Sequence, residues 1–218
     1  MQTQPSALAQ ALDSSVARSL DMDDGLRVIG FTKSFSKDQQ IFCEGSSTDF
    51  IYRIVSGAVR SVRLLADGRR QVADFYLPGD VFGVELDVER LATAEAISET
   101  VVVVARRSNL AVDPDQSHRL WRHASRELRR CRDHVLTLGR RSASERLANF
   151  LIGLAKRLER GDAFDLPMTR QDIADYLGLT IETVSRTMTQ LQGQGLIELD
   201  GCRHIRLRRP AALADLCE

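Results

Sequence analysis

The chain has 218 residues, 43% of them hydrophobic and 28% charged, with 30 Lys+Arg against 30 Asp+Glu. That is long enough to bury a core without disulfides and to form two compact domains, and the mix excludes a disordered or fibrous chain. Zero net charge gives no general pull toward polyanions, so a nucleic-acid role has to come from where the charges sit.

Residues 1–20 carry no basic leader followed by an apolar core, and no later window approaches 18 uninterrupted apolar residues, so a cytoplasmic protein with no membrane partner is expected. Over 31–104, short runs of β-branched and aromatic residues are broken by Gly45, Gly57, Gly68, Gly79 and Gly83, the punctuation of many short strands. Val59, Val62 and Leu64 precede a turn at Asp67-Gly68, and Val72, Phe75 and Leu77 follow it. The pattern predicts an antiparallel β-barrel or jelly-roll-like β-roll occupying 1–112.

The strand signal stops after Pro114. Leu120, Ala124, Leu128, Cys131, Val135 and Leu138 then recur at spacings close to a heptad seam, predicting a long helix over 113–142. Densely charged flanks favour pairing of this seam with a second copy over packing on its own β domain. The same run holds eight arginines against four acidic residues; it could face a polyanion or be a solvated helix face.

From 143 to 218 the signals are helical and closely spaced. Leu147, Phe150, Leu151 and Leu154 make an amphipathic helix with Ser142 or Ser144 as N-cap, and "GDAFDLP" breaks the chain after it. Thr169 with Asp172 forms a capping box for a helix that stops at Gly178, and Thr180 caps the next one. Two short strands, 196–199 and 204–207, are joined through Asp200-Gly201.

Helix, tight turn, helix and hairpin is the layout of a winged helix-turn-helix, giving an α+β fold whose last part reads the DNA major groove. In the second helix Val184, Met188 and Leu191 form one stripe, and Glu182, Ser185, Arg186 and Thr189 another. Arg186 suits a guanine O6/N7 pair and Glu182 a cytosine amine, and their i, i+4 spacing lets Glu182 brace Arg186. No GxSxG, HExxH, P-loop or metal-spaced carboxylate cluster supports an enzyme. The four cysteines show no CxxC pair, so they are read as free thiols with no metal; Cys202, in the wing turn beside Arg203 and His204, is a candidate for oxidation.

With "DGRRQVADFYLPGDVFG" before the long helix and "TRQDIADYLGLTIETVSR" after it, the chain resembles the CRP/FNR family of bacterial transcription regulators over nearly its whole length, and "ETVSR" resembles the FNR and FixK branch. The resemblance implies a sensor-type, cyclic-nucleotide-binding-like roll, a homodimer, and base reading by Glu182, Ser185 and Arg186. Thr169, Arg170, Gln171, Thr180 and Thr183 match phosphate-contacting positions, whereas Ile181 departs from the arginine of the CRP branch. It further implies a half-site like TTGAT in a palindrome TTGAT-N4-ATCAA, activation under oxygen limitation or nitrogen-oxide metabolism, and contact of RNA polymerase through an exposed turn carrying Asp67, Arg69 and Arg70.

Two of the family's cofactors are not expected. Leu91-Ala92-Thr93-Ala94 stands where cyclic-nucleotide binders have an arginine pair for the phosphate, and no cysteine precedes Phe31 to hold an iron-sulfur cluster. Haem is left open, with His118, His123, His134 and His204 read as surface side chains. The reading is therefore a FixK-type dimer competent for DNA without an effector; the alternative is a sensor whose DNA binding needs a small molecule or haem.

Overall fold

The computed structural model describes residues 18–21, 27–85, 87–110, 114–140, 142–158 and 161–217. Nine strands build the N-terminal part: β1 (Arg18–Asp21), β2 (Arg27–Phe35), β3 (Gln40–Phe42), β4 (Phe50–Ser56), β5 (Val59–Leu64), β6 (Arg70–Tyr76), β7 (Val81–Phe82), β8 (Thr93–Ala96) and β9 (Thr100–Arg106). They form two antiparallel sheets, in the orders β1-β2-β9-β4-β7 and β3-β8-β5-β6. The inner faces meet in an apolar core that includes Phe35, Tyr52, Ile54, Val59, Phe82, Val102 and Val104. This is the β-roll expected from the strand pattern.

The β5–β6 hairpin has the expected turn: Gly68 takes φ 80° and its N–H donates to the Leu65 carbonyl at 2.9 Å. The pairing slips by one residue between Ser61 and Val62, so Val59 faces Tyr76 while Val62 faces Val72. Val59 and Val62 are buried, but Leu64, grouped with them by the sequence, is 72% exposed. Gly57, which leads into β5, has φ 87°, and a Cβ there would lie 2.5 Å from the Glu99 carbonyl oxygen, so no other residue fits that turn.

Beyond the roll run α1 (Pro114–Arg140), α2 (Ala143–Leu158), β10 (Ala163–Asp165), α3 (Arg170–Leu177), α4 (Ile181–Gly193), β11 (Ile197–Asp200), β12 (His204–Leu207) and α5 (Pro210–Asp215). Ser142, not Ser144, caps α2: its N–H donates to Glu145 and its Oγ accepts from the Glu145 N–H. The stretch expected only to break the chain instead forms β10, which pairs with β12 and buries Phe164. Three residues are too short for a visible alternation, so the third strand of the wing sheet was hidden. The first wing strand is shifted by one residue from its expected bounds, so Asp200 pairs with His204 and the turn shortens to Gly201, Cys202 and Arg203.

The roll and the winged helix share a core. Val62, Val72, Phe75, Leu77 and Ile97 of the roll belong to one buried cluster with Leu147, Leu151, Ile173, Leu177, Val184, Met188 and Leu191. Burying this much apolar surface holds the C-terminal part against the β5–β6 hairpin.

Candidate DNA-reading site

α4 is the helix with two stripes, and the structure separates them. Val184, Met188 and Leu191 are 0%, 1% and 0% exposed and pack on the shared core. Glu182, Arg186 and Thr189 are exposed on the opposite side, with Ser185 half-buried at the edge. The helix starts where the sequence places it: Thr180 Oγ1 accepts from the Thr183 N–H at 3.2 Å. α3 ends on Gly178 at φ 63°, the left-handed conformation that lets the chain turn sharply between the two helices.

The Glu182–Arg186 brace is not closed. The Glu182 carboxyl is held below the ordinary value by its own backbone N–H, the Thr180 hydroxyl and, more weakly, the Arg186 charge. It is thus an ionised acceptor, while the exposed Arg186 guanidinium is left available for a base.

The expected phosphate contacts lie around the N-termini of α3 and α4. Thr169 closes the capping box with Asp172, its Oγ1 donating to the carboxylate at 2.7 Å and accepting from the Asp172 N–H at 3.1 Å. Gln171 Nε2 donates to Asp175 at 2.6 Å, and Thr180 and Thr183 hydroxyls meet at 3.1 Å. Arg170 departs from a simple phosphate contact, because its Nη1 donates to Ser185 Oγ at 3.3 Å and so touches a residue expected to read a base. The wing adds cations that sequence reasoning missed: Arg203 is exposed, and Arg206 and Arg208 flank Glu198 at 3.9 and 2.9 Å. The alternation of Arg206 in β12 with Arg208 just beyond it was the available signal. Cys202 is exposed in the wing turn.

α1 has an inverted polarity. The side turned to the roll and α3 is polar: His123 is 6% exposed and its Nε2 lies 3.0 Å from the Val81 carbonyl, and Glu127 accepts from the Tyr76 hydroxyl at 3.4 Å. Arg130 reaches Asp80 at 3.4 Å, and His134 stacks on Tyr176 with ring centroids 3.9 Å apart. Of the seam, Leu128 and Val135 are 52% and 61% exposed, Cys131 is exposed, and Ala124 and Leu138 are half-buried, while the Leu120 side chain lies outside the described residues. Trp121, 70% exposed, falls seven residues before Leu128 and extends the stripe. His123 and His134 are thus not the surface side chains expected of them; burial lowers the pKa of both.

The expected polymerase turn also needs correction. Asp67 and Arg69 are exposed and bonded to each other at 2.7 Å, but Arg70 is drawn inward to Asp172 and Asp175 of α3, at 2.8 and 2.7 Å. In the roll, the segment read as lacking a phosphate-binding arginine has Arg90 directly before Leu91. Arg90 is 2% exposed, donates from Nη1 to the Gly83 carbonyl at 2.6 Å and from Nη2 to the Phe50 carbonyl, and lies over the Phe42 ring. Both terminal nitrogens are thus engaged within the roll, Nη1 also lying 3.4 Å from Glu85, while the buried Nε has no partner among the described residues. Among the described residues no three His, Cys, Asp or Glu side chains are grouped to hold a metal, and no helix is long and apolar enough to cross a membrane.

Comparison with known proteins agrees with this geometry. Residues 145–216 match the Crp-like helix-turn-helix domain and residues 32–111 the cyclic nucleotide-binding domain. The nitrogen fixation regulation protein FixK of Rhizobium meliloti is 44% identical over 184 residues, 84% of this chain and 86% of that protein; FixK of Azorhizobium caulinodans is 41% identical over 218 residues, covering 93% and 88%. The structure of FixK2 from Bradyrhizobium japonicum superposes with a TM-score of 0.84 at 44% identity, over 88% of this chain and 98% of that one. The chain belongs to the CRP/FNR family of transcription regulators, in its FixK branch.

Proposed function

We propose that this FixK-type regulator works in the cytoplasm as a homodimer, without catalytic turnover, and reads an inverted repeat close to TTGAT-N4-ATCAA. The observation that carries the reading is the pairing of two features: the largely exposed polar stripe of α4 and the apolar seam of α1, which leaves its polar side to the roll. An apolar stripe left in water on a charged helix calls for a second copy, and a twofold dimer presents two reading helices to two half-sites. We divide the chain into roll (1–112), dimerisation helix (113–142) and winged helix (143–218).

Binding without cyclic nucleotide is supported by Arg90, which is buried with both terminal nitrogens already bonded to carbonyls of the roll. The FixK relatives are named as regulators of nitrogen fixation, which fits an activator used under oxygen limitation. Promoter contact with RNA polymerase falls to Asp67 and Arg69, and oxidation of Cys202 in the wing would weaken DNA binding by placing bulk beside phosphate. Selection of DNA from random sequence by the untreated protein tests the reading: a palindrome of this form supports it, and recovery of no sequence preference sinks it.

A second reading, in which a small molecule is required, is favoured by one observation. A cleft of about 360 Å³ lies where roll, α1, α2 and α3 meet, lined in part by Arg130, His134, Phe150 and Tyr176. Its α2 wall includes Gly153, where an added Cβ would meet nothing within 4 Å, although glycine inside a helix costs about 1 kcal/mol relative to alanine. Site-specific binding only after small molecules from cell extract are added would favour this reading.

A further inference from the structure

The polar cluster joining roll to winged helix divides the two carboxylate oxygens of Asp172 between separate tasks. Asp172 is 1% exposed, and Oδ2 accepts from the Thr169 N–H at 3.0 Å and the Thr169 hydroxyl at 2.7 Å, capping α3. Oδ1 accepts from Arg60 Nη1 at 3.0 Å and Arg70 Nη2 at 2.8 Å, both from the β5–β6 hairpin. Arg60 is only 8% exposed, and its remaining donors go to Glu95 at 2.9 Å and Asp38 at 3.2 Å. Arg70 also reaches Asp175 at 2.8 Å, and Gln71 Nε2 donates to the Asp175 carbonyl at 2.6 Å. A planar guanidinium bonded along several edges fixes angle as well as distance. The roll therefore holds the first turn of the helix that, in a helix-turn-helix, crosses the DNA backbone.

We infer that Arg60 and Arg70 are positioning residues for DNA reading: they fix the angle between each winged helix and its own roll, and thereby the half-site separation that the dimer accepts. The inference rests on the dimeric reading above. One added base pair moves a half-site by about 3.4 Å and turns it by about 35°. A reading head clamped to its roll cannot follow that movement. A head held by apolar contact alone, which is non-directional, can pivot over part of it. Both arginines come from the roll and bond the side of α3 that faces it, so their loss leaves the base contacts of α4 in place.

The test is binding of the full-length protein, as wild type, Arg60→Met and Arg70→Met, to duplexes whose half-sites are separated by about three to six base pairs. Methionine keeps an apolar stem of similar reach and removes the charge. The wild type should lose about tenfold or more in affinity per base pair away from its preferred spacer, comparable to losing one good base contact. The variants should lose less than about threefold, with unchanged half-site base preference and salt slope. Variants that bind more weakly on every spacer alike, with the wild-type spacer penalty intact, overturn the inference, because that is what general destabilisation gives. Arg70 is 30% exposed, so Arg70→Met decides the matter if Arg60→Met does not fold. A wild type indifferent to spacing overturns the dimeric reading itself, an outcome distinct from a selective wild type with equally selective variants.

Discussion

At the scale of single residues, the division between reading and positioning runs through Arg186 and Arg170. Arg186 is exposed on α4 and offers a guanidinium fork; a bidentate base contact is worth about 1 to 3 kcal/mol, so Arg186→Ala should weaken specific binding about 5-fold to 150-fold and relax preference at the guanine. Arg170→Ala should lower the salt slope and, because Arg170 holds Ser185 Oγ, also relax the neighbouring position proposed for Ser185. Salt titrations on single-base variants of the site separate the two, and Arg170→Ala with untouched base preference would show that the Ser185 contact is idle. Asp172 gives a pH-dependent counterpart. Burial alone would raise its carboxyl, but the Thr169 hydrogen bonds, with Arg60 and Arg70, hold it below the ordinary value of 3.8. A depressed folded-state value stabilises the fold above the unfolded one, and that stability is lost as pH falls through the folded value. Asp172→Asn should therefore cost about 3 kcal/mol at neutral pH, with the difference from wild type shrinking below pH 3.8; chemical denaturation at pH 7 and pH 3 checks it. The capping role of Asp172 was legible because its partner is three residues away, whereas its arginines come from about a hundred residues earlier. Arg90 was missed for the same reason: its carbonyl partner at Phe50 is on another strand.

At the scale of elements, α1 shows which part of a pattern a sequence reveals. The heptad spacing of the apolar seam was visible because hydropathy records it directly. The other face was not, since the residues packed on the roll and α3 are His123, Glu127, Arg130 and His134, which hydropathy assigns to water. His123 is buried and the other three half-buried there, each with a partner, which is the condition for taking a polar group out of water. The outward seam then has a definite register: Trp121, Leu128 and Val135 recur every seventh residue, with Ala124 and Cys131 between them and Leu138 after. In a parallel pair, equivalent seam positions face each other across the twofold axis. Leu128→Glu should give monomers by light scattering and lose about a hundredfold in affinity for the full palindrome, as cooperative engagement of two half-sites disappears. Cys131, exposed in that seam, should give a crosslinked dimer with a short bismaleimide in wild type and none in Cys131→Ser. Retention of dimer mass by Leu128→Glu would move the subunit interface elsewhere.

At the scale of the whole molecule, roll and winged helix form one mechanical body through a shared apolar core and the Arg60–Asp172–Arg70 cluster. The two β5–β6 turn arginines, adjacent in sequence, therefore sit in different surroundings. Arg69 is 77% exposed at its side chain and, among the described residues, pairs with Asp67 of its own turn, so it can meet another protein. Arg70 is bound to two carboxylates of α3, and desolvation, which lowers its pKa, is outweighed by Asp175 and Asp172, which raise it. Charge reversal should separate them. Arg69→Glu alters only a solvent-screened surface ion pair, so folding and DNA affinity should stay within about twofold of wild type while transcription from a target promoter falls. Arg70→Glu sets a third carboxylate against Asp172 and Asp175, and like charges at that distance in a partly buried site repel strongly. It should lower thermal stability and DNA affinity together, with transcription following affinity. In-vitro transcription beside gel-shift binding for both variants is the measurement. Equal loss of binding in Arg69→Glu would put the turn in the DNA interface, and unchanged transcription in that variant would remove it from the polymerase contact.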